Sequence, residues 1–325
     1  MSSERILVTG GCGFIGTNLV IELLQKGFSD VTILDRAPRR PDSTDLNGRV
    51  ELVEMDLNSP RLSQFVAQRK FTTVIHLAAI HYIPYCNSHA GETWEVNVKG
   101  TQALLQACVS HGVECLFLAS SAAVYKPAPG AHTETDRLGP TDIYGLAKLT
   151  NERQVQNFAS RSNSRFVIGR IFNAVGRYET NPHLVPEVIK RLRVSSRIEI
   201  GNTASKRDYI HVRDICRAIV TMTFRREPGV HVVNIGTGNA YDALEVIQLL
   251  AKIMDKLITL QPSQKHMRPV DRPMLKADRA KLKLEYGWEP VYTLEEALRD
   301  ALEDNPSLPR ERTEFRSVPE DRGAG

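Results

Sequence analysis

The segment that most restricts this chain is Thr9-Gly-Gly-Cys-Gly-Phe-Ile-Gly16. It follows the β-branched run Arg5–Thr9 and leads into a helical pattern over Thr17–Lys26. That pattern sets Leu19, Val20, Leu23 and Leu24 on one face and stops at Gly27. Gly10, Gly13 and Gly16 repeat as GxxGxxG. A strand that turns this tightly into a helix aims free backbone N–H groups and a positive dipole end at one point. Such a point suits a phosphate anion.

The same alternation continues. Strands are predicted at Val31–Leu34, Val50–Glu54, Thr73–Leu77, Glu114–Ser120 and Arg165–Arg170, with helices at Glu92–His111 and Ile143–Arg161. Alternating strands and helices imply an α/β fold, a Rossmann-type doubly wound parallel sheet. From about Gly176 the alternation breaks into helix 183–194, strand 197–200, helix 212–224, strand 230–235 and helix 243–254. We therefore expect a dinucleotide-binding domain over 1–175, with segments around 205–236 returning to it. A smaller C-terminal substrate domain follows over 176–302, and then a mobile tail, 303–325, with three prolines.

Composition excludes several classes. A chain of 325 residues that is 42% hydrophobic and 25% charged builds a sizeable core. The net charge of +4 is spread out with no dense basic block, so no nucleic-acid partner is expected. Five scattered cysteines without a CxxC pair point to reduced thiols, with no metal site. The polar start and the lack of any bilayer-length apolar run point to a cytoplasmic protein with no membrane partner.

Asp35 closes the second predicted strand, where an acid meets the adenosine ribose of a dinucleotide and repels a 2′-phosphate. That favours NAD over NADP, although Arg36, Arg39 and Arg40 follow directly. Tyr144 and Lys148 stand four apart on a predicted helix and so share a face. An ammonium beside a phenol favours phenolate, which would lower the Tyr144 pKa toward neutrality. The phenolate then takes a proton from a hydroxyl while hydride leaves the same carbon. Ser121, just past the fifth strand, can bond that hydroxyl.

These residues, with MDL at Asp56, HLAA at His76–Ala79, NVKGT at Asn97–Thr101, SSAAVY at Ser120–Tyr125, YGLAK, RIFN at Arg170–Asn173, RDYIHVRD at Arg207–Asp214, NIGTG at Asn234–Gly238 and RPVD at Arg268–Asp271, resemble the extended short-chain dehydrogenase/reductases. Within them the chain is most similar to the nucleotide-sugar epimerases and dehydratases, from about Arg5 to Leu302. The resemblance implies that Ser121, Tyr144 and Lys148 are catalytic. It sets Gly10, Gly13, Phe14, Ile15, Gly16, Asp35, Arg36, Asn97 and Phe172 around NAD, together with Tyr144 and Lys148. Asp56 and Leu57 would lie by the adenine, and Leu77, Ala78 and Ala79 by the nicotinamide. Asn173, Arg207, Arg268 and Asp271 would hold the nucleoside diphosphate, since guanidinium forks onto phosphate oxygens.

The family's 4,6-dehydratases carry two acids just after this serine, and here Ala122 and Ala123 stand there. Alanine moves no protons, whereas a 4-epimerase needs only Ser, Tyr, Lys and a retained NAD. The expectation is C4 epimerisation of a nucleotide sugar, a UDP-hexose or UDP-hexuronate, through a transient 4-keto sugar. A decarboxylase, a dehydratase, a 4-ketoreductase and a silent NAD- or RNA-binding relative remain as alternatives. His81 stands where galactose-type epimerases often place a lysine, His183 where they often have asparagine, and Lys126 replaces the glycine usual after Val-Tyr. Arg177 is expected to face the sugar, where its charge would suit a C6 carboxylate. The two long helices resemble those through which relatives form homodimers.

Overall fold

The computed structural model describes residues 4–37, 48–201, 203, 205–225, 227–263 and 272–303. The first half runs β1 (Arg5–Thr9), α1 (Phe14–Gln25), β2 (Asp30–Asp35), β3 (Glu51–Glu54), α2 (Leu62–Arg69), β4 (Thr73–His76), α3 (Ile83–Ser88) and α4 (Ala90–Trp94). A π-helical turn (Glu95–Lys99) leads into α5 (Gly100–Ser110), β5 (Cys115–Ser121), a 3-10 turn (Ala122–Val124), β6 (Ala131–His132), α6 (Ile143–Ala159) and β7 (Arg165–Ile171). The second half runs β8 (Asn173–Val175), α7 (Leu184–Val194), β9 (Arg197–Ile200), β10 (Lys206–Arg207), β11 (Tyr209–His211), α8 (Val212–Thr223) and β12 (Gly229–Ile235). It ends with α9 (Ala243–Ile253), β13 (Thr259–Pro262), β14 (Met274–Ala277), α10 (Ala280–Tyr286) and α11 (Leu294–Leu302).

Seven parallel strands form the main sheet in the order β12-β7-β5-β4-β1-β2-β3. The period-2 alternation of these strands sends their side chains to two cores. Ile6, Val8, Ile33, Phe117, Val167 and Val233 face α1, α8 and α10, and Leu7, Leu34, Val74, Leu116, Phe166 and Ile168 face α2, α5 and α6. A third core joins the apolar faces of α7, α9 and α11 to Ile198 of β9. The chain starts at the sheet's centre, winds outward to β3 and returns through β4. The ends of β1 and β4 therefore diverge into a crevice at this switch point, where doubly wound sheets bind ligands.

Two helices depart from the sequence expectation. Helix α1 begins at Phe14, three residues early, because Gly13 takes the extended N-cap conformation (φ −78°, ψ −180°) and Gly16 fits inside the first turn. The single helix expected over Glu92–His111 is α4, a π-turn and α5 in succession. A tail beyond Glu303 lies outside the described residues. None of the five cysteines forms a disulfide. Among the described residues no helix is long and apolar enough to cross a membrane, and no cluster of metal-ligating side chains occurs.

Candidate active site

The glycine turn leaves β1 at the crevice. Gly10 has φ +72°, and a Cβ there would lie 2.6 Å from the Ala78 nitrogen, so the turn presses directly on the loop after β4. A Cβ on Gly16 would overlap the Gly10 carbonyl oxygen. No side chain among the described residues caps α1, which leaves its first N–H groups to an external anion. Phe14 and Ile15 anchor that first turn on the core. The Asp35 carboxylate accepts from the Cys12 N–H (3.1 Å) and the Ala37 N–H (3.3 Å), so the acid is held against the glycine turn. The N–H of Met55 donates to the Asp35 carbonyl (3.0 Å), which brings exposed Asp56 and buried Leu57 beside it. Arg36 reaches toward Glu92 at 3.8 Å. A cradle that only glycine fills, an uncapped helix and a fixed carboxylate suit the pyrophosphate and ribose of a dinucleotide.

The loop Leu77–Ala79 is half-buried and held from behind. Asn97, fully buried, accepts from the Ile80 N–H and donates to the Ile80 carbonyl, both at 2.8 Å. Its amide grips the loop's backbone and so supports the cofactor crevice from behind. Beneath it, Thr101 donates to the Asn97 carbonyl (2.6 Å), which leaves its oxygen to accept from His76 Nε2 (2.8 Å). His76 Nδ1 then accepts from Thr9 (2.6 Å). Burial, and next the Lys148 charge, push the His76 pKa down to about 3, in keeping with this neutral tautomer.

Ser121, Tyr144 and Lys148 converge at the carboxyl end of β5. The Ser121 oxygen accepts from the Ala123 N–H (3.2 Å), leaving its proton for the Tyr144 hydroxyl. Asp142 caps α6 by accepting from Gly145 (2.7 Å) and so starts the helix one residue before Tyr144. Lys148 is buried, donates to the Ala119 carbonyl (2.7 Å) and places Nζ 5.8 Å from the Tyr144 ring centre. Burial lowers its pKa to about 8, opposed by Cys86 and Glu152. The Tyr144 expectation is corrected here. Burial raises this phenol above its ordinary value, and the Ser121 hydrogen bond only partly opposes it.

One turn beyond Lys148, Glu152 receives a forked pair from Arg170 (Nε 3.0 Å, Nη2 2.8 Å) and a 2.5 Å bond from Ser120. Arg170 also donates to Tyr125 (2.9 Å), whose hydroxyl donates to Asn234 (2.7 Å). Phe172 is buried with Ala122, Val124, Tyr125 and Ala277, beneath the serine turn.

At the substrate end His81 and His183 come together, their rings 5.7 Å apart. His81 Nε2 accepts from Asn181 (2.6 Å) and its other nitrogen bonds the Ala79 backbone, so the ring is neutral. Burial is the largest cause of its lowered pKa. The Lys148 charge also acts on it, so this pair adjoins the catalytic residues. His183, at the N-cap of α7, lies 3.5 Å from buried Glu179. Asn173 pairs with Tyr209 between β8 and β11. Arg207 donates to the Arg272 carbonyl at 2.7 Å. Arg177 does not serve as expected. Its guanidinium is paired with Asp300 and Glu303 at the end of α11, and its N–H donates to Asp300 (2.8 Å). Arg268 and Asp271 lie outside the described residues. Glu152, Glu179, Asn181 and Arg272 were not found from sequence. Only Glu152 carried a signal there, the same-face spacing from Tyr144 and Lys148.

A dinucleotide crevice with Ser, Tyr and Lys at the end of its fifth strand defines a short-chain dehydrogenase/reductase of the extended type. The chain belongs to the NAD dependent epimerase/dehydratase family, whose pattern matches residues 6–236. UDP-glucose 4-epimerase 3 of Oryza sativa subsp. japonica is 30% identical over 336 residues, covering 92% of this chain and 89% of its own. MoeE5 in complex with UDP-glucose and NAD has a TM-score of 0.84 at 31% identity, covering 92% of this chain and 97% of that one. The UDP-glucuronic acid 4-epimerase from Bacillus cereus, in complex with UDP-glucuronic acid and NAD, has a TM-score of 0.82 at 26% identity over 91% and 97%.

Proposed function

We propose that this protein is an NAD-dependent nucleotide-sugar 4-epimerase acting on a UDP-hexose. The observation that carries the proposal is the Ser121–Tyr144–Lys148 set beside the glycine cradle, with Ala122 and Ala123 alone in the turn where a dehydratase needs acids. When bound, NAD supplies a hydride acceptor that returns the hydride. Tyr144 takes the proton from the sugar's C4 hydroxyl as C4 is oxidised, and gives it back when C4 is reduced from the other face. Ser121 orients that hydroxyl, and Lys148 supplies the positive charge that favours phenolate in a site whose burial opposes it. Arg207, with Arg268 and Asp271, holds the nucleoside diphosphate, so the remote half of the substrate stays anchored while the 4-keto sugar turns.

A UDP-hexuronate is the second reading, supported by MoeE5 and the Bacillus cereus enzyme, both in complexes with UDP-glucuronic acid. Against it stands Arg177, whose charge Asp300 and Glu303 already neutralise. We take residues 176–302, less the returning segments, as the nucleotide-sugar lobe. We take the protein as a cytoplasmic homodimer joined through α5 and α6, between which lies a groove of about 700 Å³ lined by Gln106, Val109, Arg153 and Phe158. Its five free thiols suit a reducing compartment.

The purified protein, with no cofactor added, is incubated with UDP-hexoses and UDP-hexuronates, and products are read by mass and proton NMR. Unchanged mass with inverted C4 coupling is expected, lost at least about 100-fold in Tyr144→Phe. Release of water or carbon dioxide would overturn the reading of Ala122 and Ala123.

A further inference from the structure

Arg272 follows directly on the RPVD segment, and no motif marks it. It is buried at 8% exposure, yet its guanidinium reaches five acceptors around the catalytic residues. Nη1 donates to the Tyr125 carbonyl (3.1 Å) and the Ala122 carbonyl (3.4 Å). Nη2 donates to the Ala123 carbonyl (2.9 Å) and the Thr141 hydroxyl (3.1 Å), and lies 3.6 Å from the Asp142 carboxylate. Three carbonyl oxygens and a carboxylate converge here, an arrangement that repels itself without a cation. Lysine, a point charge with no planar fork, cannot meet all of them.

Two of the catalytic side chains, Ser121 and Tyr144, hang from what this guanidinium holds. The Ala123 peptide gives its carbonyl to Arg272 and its N–H to the Ser121 oxygen. That bond turns the Ser121 proton toward Tyr144. Asp142 and Thr141 precede Tyr144, and Asp142 caps the helix that carries it. The two pieces touch where a Cβ on Gly145 would come 2.6 Å from the Ala123 oxygen. The Arg272 carbonyl in turn accepts from Arg207, the residue assigned to the diphosphate.

We propose that Arg272 is a positioning residue that rivets the Ser121–Tyr125 turn to the start of α6 and so fixes Ser121 against Tyr144. This rests on the reaction proposed above for the same site. The test uses the cofactor-loaded protein. Arg272→Lys keeps the charge and the stem and guards against loss of the fold. It is expected to lower kcat about 10-fold, with KM for the UDP-sugar changed less than about 3-fold. In a Ser121→Ala background the same substitution is expected to lower kcat less than about 2-fold, because the contact it serves is already gone. Amide hydrogen exchange read by mass is expected to rise only in peptides covering 120–126 and 141–147. An equal loss of kcat in both backgrounds, no loss at all, or faster exchange throughout the chain would overturn the proposal. If the wild type epimerises no UDP-sugar, the reaction proposed above fails by itself. The localised exchange then supports the rivet, and its absence refutes it.

Discussion

The carboxylate of Glu152 is 1% exposed and compensates Arg170, itself 4% exposed. Glu152→Gln keeps the shape and an oxygen for Ser120 and Arg170 Nε. It also removes the charge and turns an N–H₂ toward Arg170 Nη2, so a guanidinium stays buried beside a donor. Breaking a buried pair from one side costs about 3–5 kcal/mol. In a chain of this length that lowers Tm by roughly 6–10 °C, at about 2 °C per kcal/mol. Removing both charges and the hydroxyl that Glu152 accepts, as Glu152→Met with Arg170→Met and Ser120→Ala, leaves no stranded ion and no stranded Ser120 proton. The Tyr125 hydroxyl still reaches Asn234, and only the Glu134 carbonyl loses its Arg170 donor (3.0 Å), a cost of about 1–3 kcal/mol. The triple variant is therefore expected to melt above Glu152→Gln in scanning calorimetry. Glu152 also raises the Lys148 pKa, so without it the lysine loses its charge below about pH 8, and the alkaline limb of kcat moves down. A Glu152→Gln protein within about 1 kcal/mol of wild type, or a triple variant less stable than the single, would refute this reasoning.

Gly16→Ala places a methyl on the Gly10 carbonyl, and the purified variant is expected to carry less than about a tenth of the wild-type NAD by absorbance; full occupancy contradicts the cradle. His76 is expected to stay neutral with its proton on Nε2 down to about pH 4 by ¹⁵N NMR. The unfolded chain takes up a proton below about pH 6.5 that the native ring refuses until about 3, so stability falls as pH drops through that window. Replacement of His76 by Gln should flatten that slope, and an unchanged slope would place the titration elsewhere. Arg177→Ala is expected to leave the ratio of hexuronate to hexose turnover unchanged while lowering Tm, because the arginine ties α11 to the segment after β8 through Asp300; a selective loss of the uronate would restore its role at the sugar.

What was legible in the sequence is what is contiguous. The glycine turn, Asp35 and the Tyr144–Lys148 spacing each declare themselves within one or two turns of chain, and the strands of the main sheet are short apolar runs. Of the small strands β9 was readable, as the strand at 197–200, but the others were not; β8 exists only through its pairing with β11, 36 residues on (Asn173 with Tyr209). Helix α11 was missed although Thr293 and Glu296 form a capping box, a visible sign that the present reading did not use. The acidity of Tyr144 went wrong for another reason. Spacing reveals a neighbouring charge, but the burial that outweighs it comes from the whole fold.

The same division runs through the substrate end and bears on which sugar fits there. In the sequence His81 and His183 stand out as departures from the relatives' pattern and Arg177 as a cation, each judged by its residue type alone. In the fold, Asn181, a hundred residues away, donates to His81 and holds it neutral, while Asp300 and Glu303 absorb Arg177. Glu179 adds a buried carboxylate: burial pushes its pKa up, but the His183 hydrogen bond and the Asn181 N–H oppose that, and it lies below the usual range. A carboxylate beside two histidines, one of them locked neutral, makes this end acidic to neutral. On the proposed reading, positive charge for the diphosphate is left to Arg207, which also donates to the Arg272 carbonyl. On the same proposed reading, a neutral hexose would enter such a site by hydrogen bonding alone, whereas a uronate would bring its charge toward Glu179.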